Sequence, residues 1–192
     1  MKLVLASASA YRRELLSRLQ LPFDVITAPV DESPLPGEMP RPLALRLAAL
    51  KADTVAALHP DAIVIGSDQV GTFDGLNPVG KPGTPGNARR QLRYASGRTL
   101  HFHTAMALRA PGQPAIDDCV DLSVVFRSLS DDEIDHYLSR EDALDCAGSA
   151  RCEGLGISLL EAIHSDDPTA LIGLPLIRLT THLRHLGLNP LG

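Results

Sequence analysis

The chain contains no tryptophan, and aromatic residues make up only 4% of its 192 positions. Proteins that hold single-stranded nucleic acid stack bases on aromatic side chains, so the sequence argues against that class. Positive charge is also scarce. Eighteen Lys and Arg stand against 23 Asp and Glu, a formal charge of −5, which is the wrong sign for a general binder of nucleic acid. Any anionic ligand has to be met by a local cluster of basic side chains. No apolar run approaches the ~18 residues of a membrane span. The N-terminus carries a Lys, an apolar patch and Ala-Ser-Ala repeats, yet the patch covers only Leu3 to Ala6, short of the ~7–15 residues of a secretory h-region. A soluble, cytoplasmic protein is expected.

Cysteine is sparse and odd in number. Cys119, Cys146 and Cys152 include no Cys-x-x-Cys pair, which disfavours a disulfide framework or a structural zinc site and predicts small buried hydrophobes. The histidines are scattered. His101 and His103 alternate along a strand and share a face, with no carboxylate or Cys at ligand spacing in the sequence, and His182 and His185 read as solvated. No His-based metal site is expected.

What is present is a balance of 44% hydrophobic and 21% charged residues, as a compact domain requires. The length suits a single domain over residues 1–192, with two lobes and a cleft, able to bury roughly two-thirds of its unfolded surface. The pattern predicts strands at Lys2–Ala6 and Phe23–Ala28, and a helix over Tyr11–Leu19 behind an Ser9 N-cap. Five prolines predict an irregular loop from Pro29 to Pro42, and loops of that length are commonly functional. A helix is expected over Leu43–Leu58 and a doubly buried strand over Ala62–Gly66. Thr84 and Pro85 open a helix to about Tyr94. Thr99–Arg109 and Ala115–Phe126 read as a hairpin, and Ser130 to Glu133 as a capping box leading a helix to Leu138. A strand over Gly156–Leu160 and a helix over Leu174–Leu186 complete an α/β pattern with a substantial antiparallel component.

Several residues carry chemistry. Gly75 to Lys81 matches the opening of a phosphate-binding P-loop, but Pro82 stands where that motif needs Ser or Thr, so only Lys81 survives as a rigidly presented cation. Asp68, in Ser67-Asp68-Gln69, is placed at the end of the Ala62–Gly66 strand, where ligand sites of open α/β sheets gather, as a metal ligand or general base. Lys51 interrupts the Leu47–Val55 stripe of its helix. A lysine there either snorkels to water or points into a cleft. Arg12 and Arg13 open a helix whose dipole opposes them, which an anion bound at the helix start would offset. Glu32, in the Pro-rich loop, is the weakest of these signals. Together they outline a polyphosphate site with Arg12, Lys51 and Lys81 as cations and Glu32 and Asp68 as hard oxygen ligands, which suit Mg2+ or Mn2+.

These residues resemble the Maf-like nucleotide pyrophosphatases. The likeness is carried by Leu5 to Leu16, Val30-Asp31-Glu32, Ala49 to Ala52, Ile65 to Val70, Gly80-Lys81-Pro82, Cys146 to Ser149 and Gly173-Leu174-Pro175, and it spans Leu3 to about Leu191. It implies an elongated mixed sheet with flanking helices and two lobes around a cleft, similar to the inosine triphosphate pyrophosphatases. It also implies a hydrolase acting on phosphoanhydrides, which splits nucleoside triphosphates into monophosphate and pyrophosphate with a divalent metal. By match, Asp68 is the proton acceptor, while Ser7, Arg12, Glu32, Lys51 and Lys81 fill other active-site positions. Tyr11, Gln69 and Glu153 occupy the positions that track substrate choice, and this combination resembles the 7-methyl-GTP subgroup, which would remove a modified nucleotide from the pool. An aromatic face and a carboxylate suit the positive charge that N7-methylation places on guanine. Ala10 stands where the family usually has Pro, Tyr11 where most of the subgroup carries Trp, and the Val70–Gly80 loop is a residue longer than usual. The expected partner is a small nucleotide, with no nucleic acid and no membrane, and a homodimer is the assembly considered. The rival readings are a non-catalytic nucleotide-binding cell-division regulator, a phosphohydrolase that removes the terminal phosphate, and a pyrophosphatase for other nucleotides.

Overall fold

In the computed structural model, which describes residues 2–192, six strands form one sheet. They are β1 (Lys2–Ala6), β2 (Asp24–Val25), β3 (Ala62–Thr72), β4 (Thr99–Arg109), β5 (Ile116–Phe126) and β6 (Leu160–His164). Their order is β2-β1-β3-β4-β5-β6. β1 lies parallel to both β2 and β3, and every pairing from β3 to β6 is antiparallel. The mixture follows from the connections. A parallel pair needs a long crossover, and the chain between β1 and β3 supplies one through the helices α1 (Ala10–Ser17) and α2 (Pro40–Ala56). The short Pro111–Gly112 turn leaves β4 and β5 no choice but a hairpin. Three further helices, α3 (Pro85–Ala95), α4 (Asp131–Leu138) and α5 (Leu176–His185), flank the sheet. No helix among the described residues is long and apolar enough to cross a membrane.

Apolar burial divides along β4. Ala105 and Ala107 join α2 on one face, and Met106 and Leu108 join α1 and α5 on the other. Leu100 and Phe102, at the opposite end of the strand, pack with α3 and α4. The long β4–β5 hairpin is therefore shared by two apolar masses, and the groove between them is the expected cleft.

Several expected boundaries move. β3 continues to Thr72, because β4 pairs with it from Val64↔Arg109 to Thr72↔His101. Asp68 is consequently in mid-strand rather than at a strand end. α2 begins at Pro40, inside the expected loop, since a first turn needs no N–H from Pro40 or Pro42. The Phe23–Ala28 strand shrinks to Asp24–Val25. Where a strand was expected at Gly156–Leu160, a 3-10 turn over Leu155–Leu159 precedes β6, and the Gly154 and Gly156 N–H groups both donate to the Arg151 carbonyl at 3.0 Å. α1 ends at Ser17, and α5 starts at Leu176 behind Pro175. The Ser130–Glu133 capping box of α4 forms as expected.

Gly66 sets the distance between α2 and the sheet. A Cβ there would lie 2.2 Å from the Ala48 carbonyl oxygen and 2.7 Å from the Ala52 nitrogen, and neither backbone atom can step aside. Gly66→Ala is expected to destabilise the protein by about 3 kcal/mol or more and to lower its melting temperature by about 6–12 °C. An unchanged melting curve would show that α2 does not need this contact.

Candidate active site

The two-residue period of a strand sends Asp68 to the same face of β3 as Gly66, toward α2, and sends Ser67 and Gln69 to the other. On α2, Lys51 lies one turn from Leu47 and one from Val55, on the stripe that packs against β3. The lysine and the aspartate therefore meet inside the protein. Lys51 Nζ lies 2.7 Å from Asp68 Oδ1 and 2.6 Å from Glu32 Oε1. Lys51 and Asp68 are 7% and 8% exposed, while Glu32 reaches in from an exposed loop. Of the two readings open for Lys51, the structure gives the cleft-facing one. The hydrogen bond from Lys51, with the charges of Arg12 and Lys81, holds the Glu32 carboxyl below its usual range against the opposing effect of burial. The Glu32 loop is itself anchored. Arg46 Nη2 donates to the Ser33 carbonyl at 3.0 Å, and Arg46 clamps both oxygens of Glu38 at 2.6 and 2.7 Å.

Behind β3, the Gly173 carbonyl ties two elements together. It accepts from Arg12 Nε and from Ser67 Oγ, each at 2.9 Å. Gly173 has φ +114°, and a Cβ on it would press Arg12 Nε at 3.4 Å. Ser7 Oγ accepts from Ser9 N at 3.2 Å and lies 3.5 Å from Arg12 Nη1. Burial lowers the Arg12 pKa, and the charges of Asp68 and Glu32 work in the opposite direction. Gln69 Nε2 donates to Thr104 Oγ1 at 2.9 Å and to the Ala170 and Leu171 carbonyls at 2.9 and 3.1 Å. Its amide nitrogen is thus spent on protein, which fixes Oε1 as the atom left for a ligand.

These groups line one cavity of about 780 Å³, which Ser7, Tyr11, Arg12, Glu32, Lys51, Asp68, Gln69, Lys81 and Glu153 all border. The volume suits a nucleotide-sized ligand. Lys81 is exposed at its rim, in a loop held on both sides: Gln91 Nε2 donates to the Gly80 carbonyl at 3.0 Å, and Asn87 Nδ2 to the Pro82 carbonyl at 2.8 Å. Arg13 is different. It is exposed on α1 and does not line the cavity, because successive helical residues point about 100° apart and Arg12 takes the inward direction. Tyr11 and Glu153, which line the cavity, are both approached by Arg151, which does not: its guanidinium carbon lies 5.8 Å from the centre of the Tyr11 ring, and its Nε is 3.5 Å from Glu153 Oε1.

The sequence did not point to Arg46, Asn87, Gln91 or Arg151, which carry no motif and act through partners far away in the chain. Two histidine readings are also corrected. His103 Nδ1 lies 2.7 Å from Asp121 Oδ1, since the β4–β5 register places those residues opposite each other. His182 is half-buried, with Nε2 2.9 Å from Asp118 Oδ2. The cysteines are half-buried rather than core residues, and Cys146 and Cys152 border the cavity. Burial pushes the Cys146 thiol up to about 11 and Cys152 to about 12, so both are poor nucleophiles at neutral pH.

A carboxylate buried beside one lysine depends on that lysine. Lys51→Met is expected to cost about 3 kcal/mol or more, chiefly because Asp68 is left charged and unpaired. Adding Asp68→Asn should recover part of the loss. Denaturant melts of both single variants and the double variant measure the coupling, and simple additivity would refute the dependence.

Residues 2–186 match the family described as Maf-like protein. The chain is 57% identical over 190 residues to a Bordetella parapertussis protein named 7-methyl-GTP pyrophosphatase, an alignment covering 99% of this chain and 94% of that one. A Cupriavidus metallidurans protein of the same name is also 57% identical, with 96% of this chain and 93% of that one covered. Among solved structures, the Staphylococcus aureus Ham1 protein is loosely similar, with a TM-score of 0.47 and 16% identity over 66% of this chain and 72% of that one. On the near-full-length family match and these sequence identities, the chain belongs to the Maf-like protein family.

Proposed function

We propose that the chain is a nucleoside triphosphate pyrophosphatase that hydrolyses 7-methyl-GTP to 7-methyl-GMP and pyrophosphate. The observation that carries this reading is the convergence of Arg12, Lys51 and Lys81 with the carboxylates of Asp68 and Glu32 on one cavity. The relatives named 7-methyl-GTP pyrophosphatase support the choice of substrate.

The chemistry follows from the charges. A triphosphate brings several negative charges toward two carboxylates, and Arg12, Lys51 and Lys81 offset them. Arg12, Lys51 and Lys81 carry three positive charges against the two negative charges of Asp68 and Glu32, so the phosphates meet a small positive balance. Asp68 then accepts a proton from a water whose oxygen attacks the α-phosphorus, and the bond to the β-phosphate oxygen breaks to release pyrophosphate. Arg12, held by Gly173, and Lys81, held in its loop, stabilise the charge that builds on the leaving group. Fixed groups of this kind supply most of the catalysis in phosphoryl transfer, where the protein adds little covalent chemistry. No Ser or Cys nucleophile is required.

A divalent cation fits the donor set. Each of Glu32 and Asp68 gives one oxygen to Lys51, and the second accepts no hydrogen bond among the described residues. No group of three or more His, Cys, Asp or Glu able to hold a metal occurs among those residues, which suits an ion shared between two carboxylates and substrate phosphates rather than a dedicated cage. Glu32 and Asp68 would hold Mg2+ or Mn2+ there, and the bound ion supplies charge neutralisation to the phosphates.

At the other end of the cavity, Tyr11 and Glu153 offer a π-face and a carboxylate to a cationic base, and Gln69 Oε1 offers an acceptor to the base edge. Two outcomes test the reading. Asp68→Asn is expected to bind nucleotide nearly as tightly as the parent while losing about two to four decades of turnover. Parental turnover in that variant would remove Asp68 from the mechanism. Glu153→Gln is expected to reduce the preference for 7-methyl-GTP over GTP, measured as the ratio of kcat/KM values with pyrophosphate identified as product. An unchanged ratio would refute its role.

A further inference from the structure

One buried carboxylate takes no part in the chemistry described above. Asp167 is 1% exposed, although its neighbours Asp166 and Pro168 stand in solvent, and an acidic side chain at that depth has to be fully partnered. Its hydrogen-bond partners among the described residues are all uncharged. Oδ2 accepts from the N–H groups of Ile177 and Arg178 at 2.7 and 3.1 Å. Oδ1 accepts from Thr169 N at 3.3 Å and lies 2.8 Å from Thr169 Oγ1. Asp167 is thus the N-cap of the 3-10 turn Pro168–Ile172. It also caps the first turn of α5, where a carboxylate is favoured and where Pro175 has no side-chain hydrogen bond to give. Thr169 completes the closure, since its hydroxyl oxygen accepts from Leu176 N at 2.8 Å and lies 2.9 Å from the Leu174 carbonyl.

The segment closed in this way carries the acceptors that orient two cavity side chains. The Gly173 carbonyl takes Arg12 Nε at 2.9 Å, and the Ala170 and Leu171 carbonyls take Gln69 Nε2 at 2.9 and 3.1 Å. Thr104 Oγ1 donates to the same Ala170 carbonyl at 2.9 Å. Arg12 and Gln69 both line the cavity, so two of its walls are set from one short stretch of backbone. For Gln69 the setting is strict, because turning its amide over would place Oε1 against carbonyl oxygens. A 3-10 turn of five residues has weak hydrogen bonds of its own. What holds its carbonyls in place is the closure at both ends on Asp167.

We infer that Asp167 is a positioning residue: from outside the cavity lining, it fixes the turn whose carbonyl groups aim Arg12 and Gln69. The inference rests on the functional reading above for the nucleotide that detects it. That reading gives Arg12 to the phosphates and Gln69 to the base edge, so release of the turn loosens the grip on both parts of one ligand. The Lys51–Asp68 pair is set by α2 and β3 and stays where it is. A protein without the Asp167 carboxylate therefore keeps its reacting groups and holds its substrate poorly.

The test is Asp167→Asn in the full-length protein, which sets an amide nitrogen against N–H donors in place of one acceptor oxygen. For 7-methyl-GTP, kcat/KM should fall about 10- to 100-fold, and KM should rise about three- to tenfold as the Arg12 contact weakens. The preference for 7-methyl-GTP over ATP should fall about threefold, because a released Gln69 amide can turn its nitrogen toward the acceptor at adenine N1. Amide hydrogen exchange over residues 168–173 should quicken. The control is Leu183→Ala, which takes a fully buried side chain from α5 without touching the turn; it should lower the melting temperature and leave KM and the preference at parental values. If Asp167→Asn does not fold, Thr169→Val, which deletes only the hydroxyl that links Asp167 to Leu174 and Leu176, carries the same expectations. Parental KM and preference in the variant, whatever its kcat, overturn the inference, since loss of folded protein lowers kcat alone. A parent without pyrophosphatase activity toward 7-methyl-GTP sinks the functional reading instead. Amide exchange over residues 168–173 then decides the inference by itself: quickened exchange supports it and unchanged exchange overturns it.

Discussion

The contact between Lys51 and Asp68 is the constraint on which the site depends, and it is made possible by a missing side chain. Gly66 lets the backbone of α2 come against β3, where any Cβ would collide with Ala48 and Ala52. Two residues along the same strand face, Asp68 then meets the lysine that α2 carries in its apolar stripe. Neither charge is tolerable alone at that depth. Together they are, and they leave Lys51 with a second contact, 2.6 Å to Glu32, that draws an otherwise exposed loop across the mouth of the cavity. A packing requirement is thereby converted into an electrostatic arrangement.

The same economy explains how a chain of net charge −5 can receive a polyanion. Many of its basic residues are spent in pairs outside the Lys51 contact, such as Arg93–Asp131 and Arg109–Asp53, whose field is shed within a Debye length. The cations at the cavity come from three separated parts of the chain, α1, α2 and the loop before α3: the Gly173 carbonyl positions Arg12, Asn87 and Gln91 hold the Lys81 loop, and the close approach at Gly66 brings Lys51 to the carboxylates of Asp68 and Glu32. Position, rather than number, supplies the local potential.

Much of this was legible in the residues. A lysine that breaks an apolar stripe, an Asp after a doubly buried strand, and a Lys locked between Gly80 and Pro82 are local anomalies, and local anomalies show in a sequence. What did not show was anything that depends on pairing. The extent of β3 is fixed by the β4 register, so the strand expected to end at Gly66 runs on to Thr72, six residues further. His103 and Asp121 face each other only because of the hairpin register, and His182 finds Asp118 on another element. Arg13 looked equivalent to Arg12 until the helix phase separated them. Proline density misled at α2, where Pro40 and Pro42 start the helix instead of preventing it.

The two ends of the cavity are built on different principles, and this bears on how such a protein can change its ligand without losing its chemistry. The wall that carries Arg12, Lys51 and Asp68 is made of side chains rising from β3, α1 and α2, elements whose hydrogen bonds and apolar contacts over-determine their positions. The wall that carries Glu153 belongs to a segment with little regular structure, Cys146 to Gly156, that turns through Gly148 at φ +74° and Ser149 at φ +59° and is fastened chiefly at its backbone. Fastening the backbone, with Arg151 paired to both Glu141 and Glu153, holds the segment against the rest of the cavity wall. Under the proposed function, a substitution at Glu153 alters which base is preferred and leaves untouched the Gly66 approach that brings Lys51 to Asp68, so recognition and reaction would be coupled through the ligand and not through the fold.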